Sequence, residues 1–246
     1  MNITRFGAAA IAALSLGLTA GAAQATTWDA VTDFSSTQST GVNGVWSYGW
    51  DAGSGFTAFT TNSACFAQAS CWQTPGMEMY QVPMVAGNTT AGTITYANTV
   101  VHLNDVLNLH PGQTLDGSNQ DIDAILRFVA PEAGTYAFSG FFEVLDINPS
   151  GVAILANGVS VPVSGMANIG NLTVGAPAYF SGKVTLAKNG VIDFRVNRDG
   201  AIWNDSTGLS ATVASVPEPA TWALMIMGFG GAGAMIRSRR RAATAA

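Results

Sequence analysis

Trp46, Tyr48 and Trp50 occupy every second position of a short run, and on a strand three such rings point to one side. Aligned aromatic faces stack on the apolar C–H surfaces of successive sugar rings while their polar edges meet water, so the run is a candidate glycan platform. Trp203, beside Asn204 and Asp205, is a candidate exposed ring of the same kind. The competing reading is that aromatics of this size pack into the core. Asp116, Asn119, Asp121 and Asp123 concentrate oxygen ligands in one turn. Calcium takes roughly six to eight oxygens, and such a turn supplies several. It departs from the EF-hand loop, because Gly117 stands at its second position and no Glu closes it. A turn held by Asx hydrogen bonds accounts for the same residues without an ion.

His102 and His110 are the only imidazoles, and His110, just before Pro111 and Gly112, reads as a turn residue. Neither a Gly-x-Ser-x-Gly elbow nor a His-Glu-x-x-His helix accompanies them, and the chain has no P-loop and no dinucleotide fingerprint. Glycoside hydrolysis needs two carboxyl groups flanking one bond. Glu78, Glu132 and Glu143 stand without any supporting motif, so no catalytic residue is assigned and the expectation is a non-enzymatic protein. Calcium is the one cofactor that the residues suggest.

Both ends read as addresses. Arg5 precedes an apolar run over 6–20, and Ala23 and Ala25 place small residues where a signal peptidase cuts, so residues 1–25 are expected to be a signal peptide read by the Sec translocon. At the other end Pro217, Glu218 and Pro219 hold an extended, accessible strip, because two prolines fix φ and remove backbone donors. An uncharged span over 221–236 follows, then Arg237, Arg239, Arg240 and Arg241, which the positive-inside rule keeps in the cytoplasm. The span is shorter than the roughly 20 residues of a stable transmembrane helix and rich in Gly, which favours a transient stop.

Pro217, Glu218, Pro219, Trp222, Ala223, the Gly228-Phe229-Gly230 stretch and the Arg cluster together closely resemble the PEP-CTERM sorting signal in its PEPxxWA form. The resemblance covers only the end of the chain, 216–246. It implies recognition by an exosortase, a membrane-embedded cysteine transpeptidase of exopolysaccharide-producing Gram-negative bacteria. It also implies passage across the inner membrane, transient anchoring through the C-terminal helix, and release to the cell surface or extracellular matrix. Such a tail speaks of traffic and leaves activity open.

With both ends removed, five basic residues remain against fourteen acidic ones, a net charge of −9. A field of that sign repels nucleic acid and anionic lipid, which excludes nucleic acid as a partner. Cys65 and Cys71, the only cysteines, are expected to pair as one local disulfide in an oxidising compartment.

Residues 26–215 suffice for one domain, and period-two alternation recurs along their second half. Over 134–145, Tyr136, Phe138, Phe142 and Val144 share one face and Thr135, Ala137, Ser139 and Glu143 the other, with Phe141 breaking the polar side. Asn157-Gly158 is expected to join 152–156 to 159–163 as a type I′ hairpin, and Asn189-Gly190 to join 183–187 to 191–196 likewise. Further strands are expected at 123–129 and 207–213, and less regularly near 44–50, 56–60 and 99–103. The expected fold is all-β, an antiparallel two-sheet sandwich of jelly-roll type. Leu109 to Gly112 by number 109–112, the run 126–136, Ala156-Asn157-Gly158 and the run 191–194 make it similar in style to carbohydrate-binding β-sandwich modules of bacterial surface proteins, over 42–213. No binding residue carries over from that likeness. The functional expectation is therefore a surface or matrix protein that binds exopolysaccharide. A purely structural matrix or envelope protein is the alternative, and a glycan-active hydrolase stands behind both.

Replacing Pro217 and Glu218 together by Ala is expected to leave an uncut, membrane-bound precursor, whereas the wild-type secreted form lacks everything from about Trp222 onward. Intact-mass analysis checks this; secreted protein still carrying Arg239, Arg240 and Arg241 contradicts it.

Overall fold

The computed structural model describes residues 25–65, 69–74, 83–90, 92–96, 100–102, 104–113, 120–165, 172–200 and 203–217, with 227, 228, 230, 231, 233, 234 and 237. The chain divides into two units, Ala25–Val216 and the paired ends Met1–Gln24 and Pro217–Ala246. In the second unit the described residues between 227 and 237 are helical and exposed. No helix among the described residues is long and apolar enough to cross a membrane. Most of the expected span 221–236 lies outside them, as do Ala23, Glu218, Pro219, Trp222, Ala223, Arg239, Arg240 and Arg241.

Among the described residues of the first unit, the regular secondary structure is β-strand. Its short first-half strands are β1 (Thr27–Asp29), β2 (Val42–Asn43), β3 (Trp46–Asp51), β4 (Thr57–Ala58), β5 (Thr61–Cys65), β6 (Ala69–Gln73), β7 (Met84–Gly87), β8 (Ile94–Tyr96) and β9 (Val100–His102). Then come β10 (Leu107–His110), β11 (Gly112–Gln113), β12 (Asp121–Val129), β13 (Gly134–Val144), β14 (Gly151–Ala156), β15 (Val159–Ser160), β16 (Ala178–Leu186), β17 (Val191–Asn197) and β18 (Thr207–Val216). The first sheet runs β16-β13-β18-β10-β7-β6-β5, with β1 also on β18. The second runs β15-β14-β17-β12-β3-β2, with β11 on β12 and β4 on β3. All pairings are antiparallel, and from β12 onward the chain passes repeatedly from one sheet to the other, giving the expected jelly-roll sandwich.

The hairpin at Asn157-Gly158 forms as expected, with φ of 49° and 81° at its two central residues and Ala156 opposite Val159. The one expected at Asn189-Gly190 does not. β16 belongs to the first sheet and β17 to the second, so 187–190 is a corner between sheets. A type I′ turn needs positive φ at both central residues, and here only Asn189 has it, at 66°. The corner's backbone groups are spent on another chain segment: Asn189 N donates to the Ala130 carbonyl at 2.8 Å and Ala130 N to the Gly190 carbonyl at 2.8 Å.

The core lies between the sheets, where inward-facing aromatics interlock. Phe128 on β12 meets Trp28, Trp46 and Tyr136 at ring separations of 5.3, 5.5 and 5.4 Å. Phe194 on β17 meets Phe138 and Phe180 of the opposite sheet at 6.3 and 5.6 Å. A smaller cluster of Ala69, Met84 and Ala86 surrounds the Cys65–Cys71 disulfide, which ties β5 to β6 with Cα atoms 5.8 Å apart.

Cys65→Ser is expected to lower Tm by only a few degrees, because closing so short a loop stabilises by about 2 kcal/mol. Trp46→Ala, which empties a core site, is expected to cost roughly 3–5 kcal/mol. Thermal melts compare the two; equal losses would contradict the placement of Trp46.

Candidate functional site

Strands β13, β16 and β18 turn Tyr136, Phe138, Phe142, Phe180, Leu209 and Val213 inward, so the alternate residues line the outer face of the first sheet. Along one line across that face the register sets Ser164 opposite Ser181, Ser181 opposite Ser139, Ser139 opposite Thr212, and Thr212 opposite Asp29. Neighbouring strands lie about 4.8 Å apart, so four hydroxyls and a carboxylate form a rank roughly 19 Å long. Thr212 Oγ1 donates to Asp29 Oδ2 at 3.3 Å, and Asp29 Oδ1 accepts the amides of Val31 and Thr32. The four hydroxyl residues line a cavity of about 550 Å³, together with Ala137, Ala214, Pro162, Val163 and Lys183.

One row along the strands, Phe141 stands in register with Tyr179 and Ser210. The two rings lie 5.5 Å apart, tilted by 55°, and Tyr179 is 63% exposed. An exposed Tyr179 ring, backed by the half-buried Phe141, beside hydroxyls that both donate and accept can stack on a sugar ring and hydrogen-bond its hydroxyl groups. The sequence reading missed this trough because its residues come from separate strands. The signals were the alternation of Tyr179, Ser181 and Lys183 along β16 and the break at Phe141.

The expected aromatic platform is corrected. Trp46 is 1% exposed and Tyr48 is fully buried, because the even positions of β3 face the other sheet. Trp46 Nε1 donates to Asp33 Oδ2 at 3.0 Å. Tyr48 stacks on Trp72 with rings 6.3 Å apart, and burial pushes its hydroxyl up to about 12. Trp50 is half-buried against the core. Buried rings offer no face to a sugar. Trp203 is 53% exposed, and its carbonyl accepts from Asn148 Nδ2 at 2.6 Å.

Of the candidate calcium ligands, Asp116 and Asn119 lie outside the described residues. Asp121 pairs with Arg198, and Asp123 with Arg195 Nη2 at 2.9 Å, a nitrogen that also reaches Asp51 Oδ2 at 2.6 Å. Burial raises Asp123 above the usual carboxylate range, and Arg195 opposes it only in part. Burial also works to raise Asp51, but the Gly55 amide, Arg195 and the Gly53 amide together hold it below that range. Arginines thus stand where a calcium ion would draw on Asp121 and Asp123, and no group of three or more metal-binding side chains occurs among the described residues.

The side chain of His102 lies outside the described residues. His110 is buried at the end of β10 rather than in a turn: its Nδ1 is 2.6 Å from the Pro111 carbonyl oxygen and its Nε2 3.1 Å from Asp205 Oδ1. Only a protonated Nδ1 satisfies that carbonyl, and in the neutral imidazole this leaves a lone pair on Nε2 facing the Asp205 carboxyl. Desolvation drives both groups toward this neutral pair, lowering His110 to about 4 and raising Asp205 to about 7. Ser150 Oγ donates to the Asp205 backbone carbonyl at 2.7 Å, so the nearby hydroxyl does not address the imidazole as a nucleophile would.

The architecture is that of a two-sheet antiparallel sandwich, and solved structures give it sandwich-bearing neighbours. A native family 35 carbohydrate-binding module from Clostridium thermocellum matches with a TM-score of 0.28 and 12% identity, over 59% of this chain and 88% of that one. CBM35 from Cellvibrio japonicus Abf62 matches with a TM-score of 0.27 and 12% identity, over 53% and 91%. The Podospora anserina GH26-CBM35 β-(1,4)-mannanase gives a TM-score of 0.29 and 11% identity, over 79% of this chain but 28% of its own length. Scores this low carry no argument, and the sandwich stands on its strand pairing. No curated protein matches the chain. Residues 215–241 match the PEP-CTERM protein-sorting motif, which marks a secreted protein that exosortase processes at the cell envelope of a Gram-negative bacterium.

The His110–Asp205 pair predicts opposite acid responses from its two deletions. Asp205→Asn leaves His110 depressed from 6.5 to about 4. Its stabilising neutral state is present above pH 6.5 and is lost as pH falls toward 4, by up to roughly 3 kcal/mol. His110→Gln leaves Asp205 raised from 3.8 to about 7, so stability is highest below pH 3.8 and falls as pH rises toward 7. In the wild type the two slopes largely cancel. Urea midpoints at pH 4.5 and 7.5 check this; variants with parallel pH profiles would contradict it.

Proposed function

We propose that this exosortase-processed surface protein is a non-catalytic binder of exopolysaccharide, and that the trough on its first sheet holds the chain. The observation that carries the reading is the hydroxyl rank Ser164, Ser181, Ser139 and Thr212 lying beside the exposed Tyr179, whose ring packs on the half-buried Phe141. A polysaccharide presents alternating C–H faces and hydroxyl edges, and the trough offers a partner for each. Sugar stacking at exposed rings is weak singly, so a repeating polymer is a better occupant than a single sugar.

The processing scheme completes the reading. Residues 1–25 lead the chain through the Sec translocon and signal peptidase releases it after Ala25; residues 216–246 hold it in the membrane until exosortase cuts; residues 26–215 are delivered. Two features support these limits. β1 starts at Thr27, just beyond the expected first cut, and β18 ends at Val216, just before Pro217. The two ends of the sandwich are tied together, Thr26 N donating to Ser215 Oγ and Ser215 N to the Thr26 carbonyl, each at 2.9 Å.

Tyr179→Ala is expected to weaken binding to the producer's own polysaccharide about two- to tenfold, the loss of one stacked ring of about 0.5–1.5 kcal/mol. Its Tm should stay within about 2 °C of wild type, because an exposed ring contributes little to folding. Affinity electrophoresis through polysaccharide-containing gels measures the first and a melt the second. Unchanged retention in both Tyr179→Ala and Ser139→Val would replace the binding reading with a purely structural matrix protein.

A further inference from the structure

The sandwich carries five basic side chains, and four are engaged. Arg127 grips Asp193 through two hydrogen bonds of 2.6 and 2.7 Å. Arg195 reaches Asp51 and Asp123, Arg198 pairs with Asp121, and Lys188 meets Glu132 at 3.0 Å. The fifth, Lys183, is exposed, lines the trough, and has no ion pair among the described residues.

Its position in the register matters. Tyr179, Ser181 and Lys183 alternate along the outer face of β16, so the hydroxyl rank through Ser181 has the aromatic pair on one side and the ammonium on the other. Each flank lies two residues, about 7 Å, from the rank. Opposite Lys183 stand Ala137 and then Ala214, small residues that leave the ammonium open to the cavity. The carboxylates on this face are set apart from it. Asp29 ends the rank three strands away and is held by the Val31 and Thr32 amides, and Glu143 lies beyond Phe141 in register with Gly208.

We infer that the occupant of the trough is an acidic polysaccharide, with a carboxylate-bearing sugar seated over Lys183 while a neighbouring part of the chain stacks on Tyr179. The inference rests on the glycan reading above and specifies its ligand class. The net charge of −9 on residues 26–215 does not forbid it. Interactions between exposed charges are screened beyond about 8 Å at physiological salt, so the local ammonium decides at contact distance. In an acidic sandwich whose four other cations are paired, one open cation beside a cavity favours an anionic sugar over a neutral one, which offers it hydrogen bonds but no opposite charge.

The test uses the secreted mature protein and the producer's exopolysaccharide, before and after carbodiimide-borohydride reduction of its carboxyl groups. Wild type should bind the unreduced polymer about 1.5- to fivefold more tightly at low salt, the range of one exposed ion pair, and the preference should shrink as NaCl is added. Lys183→Gln should bind both forms alike, and Lys183→Glu should prefer the reduced form, with Tm unchanged in each. A polysaccharide without carboxyl groups, or equal binding of both forms by wild type, overturns the acidic ligand. If Tyr179→Ala still weakens binding in that case, the glycan reading stands without it. If neither Tyr179→Ala nor Lys183→Gln alters binding, both readings fall together.

Discussion

The pairing of β13 with β18 governs everything else in the sandwich. Ten consecutive register positions join them, from Thr135 opposite Val216 to Val144 opposite Thr207. The side-chain period of a strand is two, so this register sends Phe138, Phe142, Leu209 and Val213 into the core and Ser139 and Thr212 out of it. A slip of one residue would bury the hydroxyl rank and expose the core rings. The same pairing seats β18 in the interior of its sheet, with β10 and β1 sharing its other edge, so the strand that leads into the sorting motif is among the most firmly held.

The two outer faces are built on different chemistry. On the second sheet, Arg127 pairs with Asp193 and Arg195 with both Asp51 and Asp123, and Phe56 lies over the Arg127 guanidinium with its ring centre 3.9 Å away. That face is self-satisfied, and a ligand there would have to break ion pairs that are already largely desolvated. On the first sheet the hydroxyls of Ser139, Ser164, Ser181 and Thr212 line a cavity, and the exposed Tyr179 lies beside it. Hydroxyls exchange water for sugar hydroxyls at little net cost, which is what reversible polysaccharide contact requires.

Much of this was legible in the chain. The alternation over 134–145 located β13 and its inward face, and Asn157-Gly158 located a hairpin, because each depends on residues adjacent in sequence. Asn189-Gly190 misled, since the same dipeptide also serves a corner when its backbone groups bond to a third segment, here at Ala130. Trp46 and Tyr48 showed the right spacing for a platform, but period two says only that side chains share a face. Which face is decided by the partner sheet, where Trp72 of β6 stacks on Tyr48. His110 read as a turn residue because Pro111 and Gly112 follow it, and its buried partner Asp205 is remote in sequence. The trough was illegible for the same reason: Ser164, Ser181, Ser139, Thr212 and Asp29 are brought into line only by strand order.

The proposed polysaccharide would lie across the outer face of the first sheet. Titrating isotope-labelled mature protein with oligosaccharide fragments of the producer's exopolysaccharide, and following each backbone and side-chain resonance, maps the contact directly. Shifts should concentrate at Ser139, Phe141, Tyr179, Ser181, Lys183 and Thr212, with the Trp46 indole unmoved. Shifts gathered at Trp203 or around Asp121, with the trough silent, would contradict it.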